Sequence, residues 1–160
     1  MPKFAPPKFK TYYNENLFFL KISQGLKDTG IRMKLFTNHI STQSLPNTHS
    51  TLLDLLPSIM TSKCFNDKNL AFTEEVKDTE IGHLFEHILI EYLTKLKKLY
   101  HKKNVSFSGT TSWDWTEDER GVFHIKVSAG IEDGKIFEEA LELSAKLLNK
   151  IIRSHVATVN

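Results

Sequence analysis

The sequence predicts an α+β fold: a two-layer sandwich in which helices pack on an antiparallel or mixed sheet of about four strands. Two pairs of short segments have the composition and alternation of β-strands, and three other segments carry apolar side chains at helical spacing. Their order is ββααββα, so the strands come in adjacent pairs that favour hairpins. At 160 residues, the whole chain is expected to form a single domain.

The first pair of strands lies near the N-terminus. Residues 1–12 contain three prolines, which lack amide donors, so we expect an extended tail or an edge segment there rather than a helix. Residues 16–23 are aromatic and apolar, and they predict a strand. After a turn at KDTG, residues 31–40 begin by alternating apolar side chains with Arg and Lys, as a half-buried strand does.

Two helical regions follow in the middle of the chain. A leucine-rich stretch over residues 51–59 predicts a short helix that Ser50 or Thr51 caps. Thr73, followed by two glutamates, predicts another helix start, since acidic groups favour the positive end of a helix. A long helix is predicted over residues 79–103. Its middle, HLFEHILIEYL, is apolar on almost all sides, and we therefore expect it to be buried from two directions.

The second pair of strands and the last helix complete the pattern. Residues 105–113 and 121–129 predict strands, and the polar stretch TEDERG between them predicts the loop of a hairpin. Residues 133–155 repeat apolar side chains at helical spacing, which predicts a final amphipathic helix.

Charge and composition exclude several classes of protein. The chain has 21 Lys and Arg against 19 Asp and Glu, and a dedicated nucleic-acid-binding protein is usually far more basic. No apolar run approaches the roughly 20 residues of a membrane span. The N-terminus lacks the apolar stretch of a signal peptide, so we expect a cytoplasmic protein whose one cysteine, Cys64, stays reduced.

A histidine and glutamate motif stands out on the long helix. His83, Glu86 and His87 form the pattern H-x-x-E-H. Helix positions four residues apart share a face, so both imidazoles can bind one zinc ion. Glu86 can then take a proton from the bound water, whose pKa zinc lowers to about 7. This order is that of the inverted zincins. The alternative is a structural set of hydrogen bonds in a polar seam between the layers.

A zinc site of this kind needs a third protein ligand. Inverted zincins take it from a glutamate on a later helix, and the last helix here offers Glu138, Glu139 and Glu142. We favour Glu139 as the ligand, with Glu138 as its rival. Glu132 lies seven residues before Glu139, so one carboxylate can ligate while the other supports a histidine. The alternative is that these acidic residues face the positive end of the helix and stay in water.

No substrate-binding residue can be assigned from the sequence. Trp113 and Trp115 lie on the third predicted strand or in the loop after it. Their large rings can line a substrate groove, or they can cap the edge of the sheet.

Two stretches of the chain resemble the N-terminal domain of cyanophycin synthetase. The first joins a leucine-rich helix ending in a proline (52–57), Cys64, and a G-H-x-x-E-H motif at 82–87. The second runs from a G-[RT]-T segment at 109–111 through a strand to the last helix. The middle residue of that segment is Thr here, where the family also has Arg. Together the two stretches span about residues 44–152.

The resemblance implies a domain that holds a growing Asp-Arg polymer. In some members this domain resembles a zinc hydrolase that clips the polymer to make primers. The motif also looks like that of the pitrilysin and insulinase peptidases, which implies His83 and His87 as ligands and Glu86 as the base. The ATP-grasp and Mur-ligase-like modules of the synthetase have no counterpart in these 160 residues, so the polymerising chemistry is not implied.

Two functional hypotheses follow. In the first, which we favour from the motif and the resemblance, the protein is a stand-alone zinc-dependent, peptidase-like hydrolase that acts on a peptide or peptide-like polymer. In the second, it is a non-catalytic binding or assembly module that holds such a polymer or pairs with another chain. Both hypotheses predict that the partner is a polymer and that the protein binds neither a nucleic acid nor a membrane. Both are compatible with a homo-oligomer. A carboxylate of the last helix close to both imidazoles would favour the first hypothesis.

Overall fold

The computed structural model describes residues 8–62 and 71–159. Within them, five strands form one antiparallel sheet, and four helices accompany it, so the predicted α+β class is confirmed. The strands are β1 (Lys8–Glu15), β2 (Phe18–Gln24), β3 (Thr29–Leu35), β4 (Gly109–Ser112) and β5 (Val122–Val127). The helices are α1 (Thr48–Leu55), α2 (Phe72–Glu75), α3 (Ile81–His101) and α4 (Gly134–Val159).

The strands lie in the order β1-β2-β3-β5-β4. Both predicted hairpins are present, as β2 with β3 and β4 with β5. The central pairing of β3 with β5, for example Ile31 opposite Ile125, joins the two halves of the chain. Residues 8–12, expected to be an extended tail or an edge segment, lie in the edge strand β1, which raises the strand count from about four to five. Residues 1–7 and Cys64, whose thiol we expect to stay reduced, lie outside the described residues.

The two faces of the sheet differ in polarity because the strand side chains alternate. Phe18, Leu20 and Met33 are fully buried on the inner face, where the helices pack. The outer face carries polar side chains such as Arg32 and His124, which lie opposite each other in the register of β3 and β5. The inner face of the sheet is therefore shielded from water, and it packs against the helices.

Helix α3 is the centre of the helical layer. It contacts β4 and β5 on one side and α4 on another, and Leu84, Ile88 and Leu93 are fully buried. Its predicted burial from two directions is therefore confirmed. The ammonium group of Lys97 lies 2.7 Å from a carboxylate oxygen of Asp133, which holds the C-terminal end of α3 beside the segment that leads into α4. In the described part of the chain, no helix combines the length and the apolar character needed to cross a membrane.

The starts of two helices differ from the predicted positions by a few residues. Helix α1 begins at Thr48 rather than after Ser50 or Thr51, and its cap residue, Asn47, makes no side-chain hydrogen bond to the helix. Helix α3 begins at Ile81 rather than at residue 79, because tertiary hydrogen bonds hold the preceding backbone extended. The amide of Ile81 donates to the carbonyl of Ile40 at 2.7 Å. Such long-range bonds have no local sequence signal.

A glycine allows α3 to lie close to the sheet. A Cβ atom placed on Gly82 would lie 2.3 Å from Cγ of Phe123, whose ring is fully buried under the helix. Real Cβ atoms do not approach other atoms this closely, and the atoms met include Cβ and Cγ of Phe123, which lie next to its backbone rather than at the end of a flexible side chain. Gly82 therefore sets the distance between the start of α3 and strand β5.

We predict that Gly82→Ala lowers the free energy of unfolding by about 2–3 kcal/mol, because the added methyl group overpacks the contact with Phe123. Gly134→Ala is the matched control, since a Cβ at Gly134 meets nothing within 4 Å. Alanine favours helix over glycine, so the control should leave stability unchanged or raise it by up to about 1 kcal/mol. Urea unfolding of both variants measures the difference. Equal effects of the two substitutions would contradict the proposed role of Gly82.

Candidate functional site

The three residues of the H-x-x-E-H motif meet on one face of α3. One nitrogen of each histidine and a carboxylate oxygen of Glu86 all lie within 4.8 Å of one another. Nε2 of His83 is 3.1 Å from Nε2 of His87, so one ring donates a hydrogen bond to the other. Glu86 is 6% exposed and His87 is 8% exposed. The predicted face-sharing of the two imidazoles is therefore present in the fold, in the seam between helix and sheet.

The second ring nitrogen of His83 is held from the segment before α3. Nδ1 lies 2.8 Å from the hydroxyl oxygen of Thr79, and a carboxylate oxygen of Glu75 lies 3.9 Å from the same nitrogen. Glu75 is buried, although it belongs to the short helix α2. These contacts fix the orientation of the ring, so that Nε2 faces His87.

His87 is kept neutral by its surroundings. Its ring stacks on Phe72 with a centroid distance of 4.4 Å and an angle of 29° between the planes. Burial, together with the nearby His83, lowers the pKa of His87 from 6.5 to about 3. The neutral imidazole is the form that accepts a hydrogen bond or binds a metal ion.

Glu86 connects the helix to strand β4. The hydroxyl group of Thr111 donates a hydrogen bond of 2.7 Å to one of its carboxylate oxygens. Burial raises the pKa of Glu86, while the bond from Thr111 and the nearby His83 oppose the shift. The helix comes close to the strand here because Gly109 has no side chain: a Cβ on it would lie 3.1 Å from Cγ of Glu86.

The three donors of the cluster lie close enough together to hold a metal ion. Two nitrogen ligands of a tetrahedral zinc ion, each about 2.0–2.1 Å from the metal, lie about 3.3 Å apart. The 3.1 Å between the two Nε2 atoms is close to this value, and Glu86 offers a carboxylate oxygen within the same group. In the described part of the chain, His83, Glu86 and His87 are the residues that meet in such a group.

The structure does not bring Glu139 to the two histidines. Its carboxylate accepts a hydrogen bond of 3.1 Å from the hydroxyl group of Tyr100. Tyr100 lies 17 residues after His83 in α3, which is a rise of about 25 Å along the helix. The glutamate-rich start of α4 therefore lies beside the far end of α3, because that end contacts the segment leading into α4.

The other candidates for a third ligand or a supporting carboxylate also lie away from the cluster. Glu132, Glu138 and Glu142 are all exposed to solvent. A carboxylate oxygen of Glu142 pairs with the ammonium group of Lys146 at 3.1 Å, one turn further along α4. None of the three joins the group formed by the motif on α3.

Sequence reasoning missed three residues of the site: Glu75, Thr79 and Thr111. The sequence marks Glu75 only as an acidic residue near a helix start. Thr111 belongs to the G-x-T segment of the resemblance, which is its one signal in the sequence. The two tryptophans differ in their contacts: Trp115 donates from Nε1 to the carbonyl of Val122, and Trp113 is 39% exposed. Trp115 thus caps the sheet.

The sequence matches the cyanophycin synthase-like N-terminal domain over residues 30–153. The chain belongs to this family. Comparison with curated proteins and with solved structures found no match. The cyanophycin synthase-like match confirms the resemblance seen in the sequence and extends it to most of β3. It includes the motif on α3 together with Thr111, so the whole cluster lies inside the family's domain.

We predict that His87 makes the protein less stable at mildly acidic pH. Its pKa is about 3 in the folded protein and near 6.5 in the unfolded chain, so below pH 6.5 the unfolded state binds a proton that the folded state does not. Stability from this group is present above pH 6.5 and is lost as the pH falls toward 3, by about 1.4 kcal/mol per pH unit.

Urea unfolding at pH 7.5, 6.5 and 5.5 tests this prediction when the wild type is compared with His87→Gln, which cannot titrate. The difference in unfolding free energy between the two proteins should shrink or reverse as the pH falls. Parallel pH profiles would show that His87 does not titrate with a lowered pKa.

Proposed function

We propose that this cyanophycin synthase-like domain is a binding module that holds a peptide-like polymer without cleaving it. One observation carries the proposal: among the described residues, Glu86 is the only carboxylate that groups with one nitrogen of each imidazole within 4.8 Å. Glu75 approaches Nδ1 of His83, at 3.9 Å, and does not join that group. A catalytic zinc site has three protein ligands, and hydrolysis by a zinc-bound water also needs a separate base. Glu86 can fill one of these roles but not both.

The hydrogen bonds of the cluster also support a non-catalytic role. His83 contacts Thr79 through one nitrogen and His87 through the other, and Glu86 accepts a bond from Thr111. Among the described residues, no buried side-chain atom of the cluster is without a partner. A satisfied polar network of this kind ties the start of α3 to β4 and makes the seam rigid.

We predict that the wild-type domain binds an Asp-Arg polymer saturably. Its formal charge of +2 is too small for strong non-specific attraction to a polyanion or a polycation, so binding should need the features of the polymer itself. Fluorescence anisotropy of a labelled polymer at about 0.15 M salt measures the affinity. Polyaspartate and polyarginine serve as competitors. Absence of saturable binding, or equal competition by either homopolymer, would refute the proposal.

The second candidate function is a metal-dependent hydrolase, which the 3.1 Å separation of the two Nε2 atoms favours. His83 and His87 would hold the cation, which supplies a polarised carbonyl and a water of lowered pKa. Glu86 would accept a proton from the attacking water and pass it to the leaving amine. Its raised pKa suits this role, because a base works best when its pKa lies near the working pH.

An assay for cleavage of the Asp-Arg polymer, with one equivalent of Zn²⁺ added, distinguishes the two functions. Under the binding proposal, the wild type releases no shorter polymer. Cleavage that Glu86→Gln lowers by about 100-fold or more would instead establish the hydrolase. Glu139→Gln is the control, since this residue contacts Tyr100 far from the cluster, and it should leave zinc affinity by calorimetry unchanged.

A further inference from the structure

The two edges of the sheet differ in how they are protected. Strands β1 and β4 are the edges, and an edge strand presents unpaired backbone groups to which another chain can pair. Strand β1 includes Lys8 and Lys10, and its register shifts between Lys10 and Tyr12. Lysines and irregular register are common protections of an edge.

Strand β4 has neither of these protections. Its sequence is Gly-Thr-Thr-Ser, without lysine, proline or an acidic residue, and it pairs with β5 in unbroken register from Gly109 to Ser112. A four-residue edge strand is short, which limits non-specific pairing with other chains. Without lysine, proline or a bulge, β4 can still pair with one short extended segment.

The register shows which backbone groups of β4 point outward. The amide of Ser128 donates to the carbonyl of Ser108 at 2.9 Å, so these two residues form a hydrogen-bonded pair. Bonded and non-bonded pairs alternate along antiparallel strands, so Thr110 is bonded to β5 and Thr111 is not. The N–H and C=O groups of Thr111 therefore point away from the sheet, and no described segment pairs with them.

The same residue touches the cluster on α3. While the backbone of Thr111 faces outward, its hydroxyl group donates to the carboxylate of Glu86 at 2.7 Å. Two residues further on, the partly exposed ring of Trp113 packs edge-to-face on Phe123 at 5.5 Å. A strand added at this edge would lie about 4.8 Å from β4. Its residue opposite Thr111 would turn its side chain toward α3.

We propose that β4 is a docking strand, and that an extended peptide segment pairs with the backbone of Gly109 and Thr111 and passes beside Glu86. This inference rests on the proposed polymer-binding function and names the way in which the polymer is held. Backbone pairing uses only amide groups, which every unit of a peptide polymer has. A second copy of this chain, paired through β4, is the competing occupant.

Two substitutions at one position isolate the backbone contact. Thr111→Val removes the hydroxyl group and keeps the amide, whereas Thr111→Pro removes both. Proline is tolerated in an edge strand where the lost N–H points to solvent. The ratio of the dissociation constants of the two variants for the labelled Asp-Arg polymer therefore reports the amide alone. We expect the proline variant to bind at least tenfold more weakly than the valine variant.

Amide exchange in the wild type gives a second test that does not depend on whether the proline variant folds. Saturating polymer should slow the exchange of the Thr111 amide by tenfold or more, as followed by NMR. The Thr110 amide is the internal control, because it is already bonded to β5 in the register of the hairpin.

The outcomes separate the two proposals. Equal affinities of the proline and valine variants, or no protection of Thr111 while the polymer binds, would overturn the docking strand and leave the binding function standing. A wild-type domain that binds no polymer would overturn both. A dimer in light scattering that Thr111→Pro dissociates would identify a second copy, rather than a peptide, as the occupant of β4.

Discussion

The close contact between α3 and the β4–β5 hairpin is the feature on which the candidate site depends. Gly82 lets the start of the helix lie against Phe123, and Gly109 lets the strand lie against Glu86. Only at this distance can the hydroxyl group of Thr111 reach the Glu86 carboxylate at 2.7 Å. A side chain at Gly82 would push the helix away from Phe123, and one at Gly109 would press on the side chains of Ile90 and Glu86.

The same contact creates an electrostatic constraint. It buries a carboxylate and an imidazole, and burial of charged groups without partners is costly. The protein meets this cost in two ways: His87 stays neutral because its pKa falls to about 3, and the hydrogen bond from Thr111 stabilises the Glu86 carboxylate.

The sequence was sufficient for the fold class and the motif because both depend on short-range spacing. Alternation identified the two hairpins, and the i, i+4 spacing of His83 and His87 placed them on one face. The predicted third ligand, Glu139, could not be judged in this way, since its position depends on which end of α3 the start of α4 contacts. Glu75 and Thr111 could not be predicted for the same reason, since they reach the cluster through tertiary packing. The start of α3 also depends on a long-range contact, the hydrogen bond from the amide of Ile81 to the carbonyl of Ile40.

A docking strand beside the cluster would suit a polymer of identical units. Side-chain pockets recognise one residue at one register, whereas backbone pairing is the same for every unit along a repeating chain. Each shift of the polymer by two residues would restore the same hydrogen bonds with Thr111 and present a chemically identical side chain to α3, because alternate residues of a strand share a face. Such a site would hold the polymer at many equivalent positions, and a long chain would bind more tightly than a short one without any new contact. Dependence of affinity on polymer length at constant composition is thus a direct physical consequence of pairing at β4, and a single pocket for a chain end would show none.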